Sequence, residues 1–105
     1  MNILFVCSRN IWRSPTAEAI YKNRKDLNVR SAGTEPSARI KVSAKNISWA
    51  DIIFVMEKKH KQRLLQKFRH EIEDKTLVIL DIEDDYQYMD NELIDMIRVS
   101  VDQYL

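Results

Sequence analysis

The chain has 105 residues, 45% hydrophobic and 31% charged, with a formal net charge of +1, which describes one globular domain able to build a core without staples and argues against wholesale nucleic-acid or membrane binding. A single glycine, Gly33, excludes the dinucleotide fingerprint and the nucleotide-triphosphate loop, which need several glycines at fixed spacing. A single cysteine, Cys7, excludes an internal disulfide and a Cys-rich zinc site, and neither His60 nor His70 stands in a metal-pair or Ser-His-Asp arrangement.

In chain order, the first element is the continuous apolar run at residues 3–6, read as a strand. It is too short for a signal-peptide core or a membrane span, so a cytoplasmic, reducing location is expected. Ser14-Pro15 reads as a helix start, with Ser14 at the cap and Pro15 in the first turn; Ala17, Ile20 and Tyr21 then share a face. Residues 29–32 alternate as an edge strand does. A loop at residues 33–36 and a short helix near 43–49 follow. Residues 52–56 and 77–80 are continuous apolar runs and, like residues 3–6, suit parallel strands covered on both faces. Between them Leu64, Leu65, Phe68 and Ile72 form an apolar stripe on a helix over residues 58–70. After a cap at Asp90, Leu93, Ile94, Ile97, Val101 and Tyr104 form another.

Strands alternating with helices predict a single three-layer α/β domain, four parallel strands with helices on both faces. Ligands in such sheets bind beyond the carboxyl ends of the strands. The residue that follows the first strand is Cys7.

Cys7-Ser8-Arg9-Asn10-Ile11-Trp12-Arg13-Ser14-Pro15 runs from a strand end through a short loop into a helix start. Backbone N–H groups of such a loop can converge on one centre, and a helix N-terminus adds partial positive charge. That field favours the thiolate form of a cysteine placed there. Arg13 offers a planar fork that matches phosphate oxygens. Asn10 tolerates the left-handed backbone that a tight loop without glycine needs. Ser14 can donate its hydroxyl to the thiolate or cap the helix. A lone Cys at a strand end is usually a small core residue, and a lone Arg is usually solvated; their combination at C-x5-R-S points to a phosphate site.

FVCSRNIWRSPTAEA resembles the signature of the low-molecular-weight protein tyrosine phosphatases, where a strand leads into C-x5-R-S-P-x-A-E-A. Ser31-Ala32-Gly33-Thr34 is similar to the family's second-strand ending, and Ala50-Asp51-Ile52-Ile53 through Met56-Glu57 to its third strand. Asp84-Asp85-Tyr86 stands where the family has Asp-Pro-Tyr. The resemblance implies a flavodoxin-like domain over residues 1–105 with strand order 2-1-3-4. It implies that Cys7 is the nucleophile, that Arg13 and the loop from Ser8 through Arg9, Asn10, Ile11 and Trp12 to Ser14 hold the phosphate, and that Asp84 is the general acid, with Asp85 as fallback. Tyr86 would flank the pocket mouth, and Ser8 and Ile11 its rim. No metal or cofactor is implied; the partner is a phosphorylated protein or a small aryl phosphate.

The chain departs from the family in being shorter, and in carrying Asp85 for the proline, Arg9 where Gly is common and Trp12 for a second loop cysteine. The last change removes the disulfide that many members can form. Read without the resemblance, Asp84 is equally a solvated carboxylate of the run Asp81, Glu83, Asp84 and Asp85. Charge is split along the chain: residues 1–70 carry 15 Lys/Arg and 5 Asp/Glu, residues 71–105 carry 2 and 11. This reads as two solvated faces or as a basic surface around an anion site. The run Lys58, Lys59, Lys61 and Arg63 reads as a solvated helix face; Trp12 and Tyr88 read as packing or rim.

The competing function is a non-catalytic phosphate or phosphopeptide binder on the same fold, with Arg9 and Trp12 filling the pocket. An arsenate reductase needs further cysteines, and a sugar-transport phosphocarrier has no need for Arg13 and Asp84 together.

Overall fold

Ile3 to Val6 are wholly buried because their strand sits inside the sheet, with a neighbour on each edge and helices on each face. The computed structural model describes residues 1–105. β1 (Asn2–Cys7) lies between β2 (Asn28–Gly33) and β3 (Ile52–Val55), and β4 (Thr76–Ile79) completes a parallel sheet of order β2-β1-β3-β4. This is the expected class and strand order.

Alternation along β1 divides the core. Ile3, Phe5 and Cys7 face α1 (Arg13–Tyr21) and α4 (Asn91–Val101), packing with Ala17, Tyr21, Leu93, Ile97 and Val101. Leu4 and Val6 face α2 (Ala44–Trp49) and α3 (Lys58–Ile72), packing with Ile47, Leu64 and Ile72. Ser43 caps α2 by accepting the Asn46 N–H at 3.2 Å, and the Asp90 carboxylate caps α4 by accepting from Glu92 and Leu93. No helix is long and apolar enough to cross a membrane.

Three expectations need correction. α1 begins at Arg13 with Trp12 in the cap position, so Ser14 lies inside the first turn and caps nothing. The last apolar run, β4, is only partly covered: Leu77 and Val78 are half-buried and Ile79 is exposed, because at the edge that the expected order gives it the helices reach less far than over the central strands. α3 continues past residue 70 to Ile72, carrying a kink at Phe68, whose φ of −131° and ψ of 34° are not helical.

The register places Cys7 opposite Gly33 and Val6 opposite Val55, so the loops after β1, β2 and β3 meet at one end of the sheet. Gly33 is required by that meeting. A Cβ there would lie 2.6 Å from the Ser8 carbonyl oxygen and 2.6 Å from Ala38 Cβ, closer than real carbon contacts allow.

Candidate active site

The loop after β1 is polarised. Its carbonyls are taken from outside: Thr34 N–H donates to Cys7 O at 3.0 Å, Glu35 N–H to Ser8 O at 2.9 Å, Arg39 N–H to Arg9 O at 3.0 Å and Arg39 Nε to Asn10 O at 3.0 Å. The Trp12 carbonyl accepts from Thr16 N–H and Oγ1. By contrast, no backbone N–H of residues 8–14 donates to another protein atom. Consecutive free N–H groups in a turn at a helix N-terminus form a concave anion site. Asn10 supplies the left-handed residue, with φ of 57°.

The Asn10 side chain then fixes the surroundings of Cys7. Its Nδ2 donates to Ser14 Oγ at 2.8 Å and to Ser31 Oγ at 2.9 Å, and the Ser31 hydroxyl in turn donates a hydrogen bond to Glu18 Oε1. Ser14 Oγ, already accepting from Asn10, lies 3.0 Å from Cys7 Sγ and donates to the Ala32 carbonyl at 3.5 Å. The Ser14 hydroxyl is thus placed beside Cys7 and not at the helix cap.

Arg13 is 1% exposed. Its Nη1 donates to Glu57 Oε2 and, at 2.8 Å, to the Ile82 carbonyl, while Nε lies 3.4 Å from Asp84 Oδ1. Nη2 has no protein partner, so part of the guanidinium fork is free toward the cleft. Burial alone would raise the Glu57 carboxyl, but the hydrogen bond and charge of Arg13 outweigh it and hold Glu57 below the usual carboxylate range.

His60 supports the other side of the loop. Its Nδ1 accepts the Glu57 N–H at 3.0 Å, which puts the ring proton on Nε2, and Nε2 donates to Ser8 Oγ at 2.8 Å. Burial, assisted by the Arg13 charge, pushes His60 down to about 4. The folded state thus holds His60 neutral where the unfolded chain, titrating at about 6.5, binds a proton. The stability this contributes is complete above about pH 6.5 and is lost as pH falls toward 4. The fall in thermal midpoint between pH 7 and pH 5 is therefore expected to be smaller in His60→Gln than in the parent; equal falls by scanning calorimetry would refute a buried neutral His60.

Cys7, Arg13 and Asp84 line one cleft of about 110 Å³, with Arg9, Ile11 and Trp12 around it. The structure brings the three proposed reacting side chains together across 77 residues of sequence. Arg9, Ile11 and Trp12 are exposed and leave the cleft open, whereas Ser8 is buried against His60 rather than at the rim. Asp85 and Tyr86 are not brought to the cleft. Glu83 is raised by a hydrogen bond with Asp85, and Tyr86 packs beside the core with its hydroxyl donating to Glu92 at 3.4 Å. Sequence reasoning passed over Glu57, His60 and Arg39. The available signal was Glu57-x-x-His60 at a helix start directly after a strand, the same kind of junction that drew attention to Cys7.

Residues 2–47 match the family model described as low molecular weight phosphotyrosine protein phosphatase; Asp84-Asp85-Tyr86 lies outside that match. No curated protein matches the chain in sequence. The chain is similar in structure to the low molecular weight protein tyrosine phosphatase from T. tengcongensis, with 22% identity, a TM-score of 0.75 and coverage of 100% of this chain and 99% of that one. It is similar to Vibrio vulnificus Wzb in complex with benzylphosphonate, at 22% identity, a TM-score of 0.76 and coverage of 98% and 95%. It is also similar to the YwlE arginine phosphatase from Geobacillus stearothermophilus, at 22% identity, a TM-score of 0.69 and coverage of 97% and 84%. The chain carries the family's signature in its first half and the fold of these proteins throughout.

Proposed function

We propose that this chain, with the low-molecular-weight phosphotyrosine phosphatase signature at residues 2–47, is a cysteine-dependent phosphatase that hydrolyses phosphotyrosine-like monoesters through a phosphocysteine intermediate. The observation that carries this reading is the polarised loop, with every carbonyl from Cys7 to Asn10 tied outward and every N–H from Ser8 to Ser14 free, around a cysteine that a serine hydroxyl faces at 3.0 Å.

In this reading Cys7 Sγ attacks phosphorus and an S–P bond forms as the P–O bond to the leaving group breaks. The loop N–H groups and Arg13 hold the three equatorial oxygens, where the transition state spreads its charge. Asp84 gives its proton to the departing phenolate, then takes one from the water that attacks phosphorus and releases the thiolate. Phosphate beside Arg13 competes with Asp84 for the guanidinium. Positive charge comes from Arg13 and the loop, so the scheme draws on no metal. Ile11 and Trp12 give the mouth apolar and aromatic surface suited to a phenyl ring; a phosphorylated protein or a small aryl phosphate fits that mouth.

Hydrolysis of 4-nitrophenyl phosphate tests the reading. Turnover is expected to survive chelator and to be blocked by vanadate, which reproduces pentacoordinate phosphorus. No turnover, or turnover that chelator removes, would overturn it. Phosphate binding without turnover would instead select the non-catalytic binder.

A further inference from the structure

Beyond Ile11, which it shares with the catalytic cleft, lies a second groove of about 450 Å³. Its floor is one face of α1, where Pro15, Glu18 and Lys22 follow one another at helical spacing; Arg39 and Tyr88 form the walls. The charges in it are not balanced. Glu18 is engaged by the Ser31 hydroxyl, Lys22 Nζ has no partner, and Arg39 uses only Nε, on Asn10 O, leaving its two terminal nitrogens free. Tyr88 is 53% exposed and Ile11 41%. Apolar surface edged by two free cations, continuous with a phosphate-binding cleft, fits an extended acidic peptide.

We propose that this groove docks the segment of a phosphorylated polypeptide next to its phosphorylated residue, and that Lys22 and Arg39 select a carboxylate side chain there. The proposal rests on the phosphatase reading for what fills the cleft. From Pro15 to Lys22 the helix rises about 10 Å, which about three extended residues span. The selected carboxylate therefore belongs two or three positions from the phosphorylated residue. The backbone between them would lie over Ile11 and Tyr88. Arg39 also ties the groove to the catalytic loop, since its N–H holds Arg9 O and its Nε holds Asn10 O.

The test is a set of phosphotyrosine peptides, otherwise neutral, in which one Glu is walked across the flanking positions and compared with Gln at each. Glu two or three positions away is expected to raise kcat/KM about fivefold, the worth of one partly exposed ion pair. Lys22→Glu should remove that preference while leaving 4-nitrophenyl phosphate turnover unchanged. A flat Glu scan, or a preference that persists in Lys22→Glu, overturns the groove. The same peptides are then titrated by fluorescence anisotropy on Cys7→Ser. A Lys22-dependent Glu preference in binding, without turnover by the parent chain, supports the groove and overturns the hydrolase.

Discussion

Cys7→Ser is expected to lower turnover of 4-nitrophenyl phosphate by about 10⁴-fold or more while phosphate still binds. The two functions separate because the cradle is backbone N–H groups and Arg13, none of which the substitution removes. Arg13 is different, for it stands in both. Arg13→Lys is expected to lose phosphate affinity and about 10²–10³-fold in rate, since an ammonium cannot reproduce the fork. Arg13→Ala should also cost about 3 kcal/mol of stability by stranding a carboxylate whose hydrogen-bonded partner was buried. Glu57 accepts from Nη1, and the Ile82 carbonyl loses its donor at the same time. Calorimetry with phosphate on all three variants, beside their thermal midpoints, separates lost binding from lost folding. Undiminished phosphate binding by Arg13→Ala would remove Arg13 from the site.

What the sequence made legible follows from how local each cause is. Asp90 was readable as a cap because a cap acts on N–H groups two or three residues away, as it does here. Ser14 has the same chemistry and a helix signal of its own, yet its hydroxyl sits 3.0 Å from Cys7 Sγ, a neighbour seven residues back that only the strand–loop–helix turn delivers. Arg13 was readable as an anion ligand, but its buried partner Glu57 lies 44 residues on, and Ser8 and His60 are 52 apart. No local pattern reports pairings of that range. They are set by β1 and β3 lying side by side, which brings the ends of both strands to one place. The edge place of β4 follows from the expected strand order, but how far its two faces are covered depends on where α3 and α4 lie, which its own residues do not report. Gly33 shows the opposite case: one residue without a side chain, invisible to hydrophobic pattern, on which the approach of two loops depends.

Asp84 carries the second large expectation. A general acid matters in proportion to how poor the leaving group is, so Asp84→Asn should slow hydrolysis of phosphotyrosine-like esters by about 10²–10⁴-fold. The loss should be far smaller for an ester whose phenol already leaves easily. For the poor leaving group, formation of the phosphocysteine should slow more than its breakdown. Asp85→Asn is the control that geometry provides: Asp84 lines the cleft with Oδ1 3.4 Å from Arg13 Nε, whereas Asp85 faces Glu83 and is not brought to the cleft. Its substitution should cost little with either ester. Steady-state rates for both variants across aryl phosphates of graded leaving-group acidity decide between them. A dependence that steepens in Asp85→Asn and not in Asp84→Asn would move the acid one residue along the chain. A dependence unchanged in both would mean that neither carboxyl protonates the leaving group. That outcome would leave Arg13 and the loop as a phosphate cradle without a proton donor, whose chemistry is limited to esters that need none.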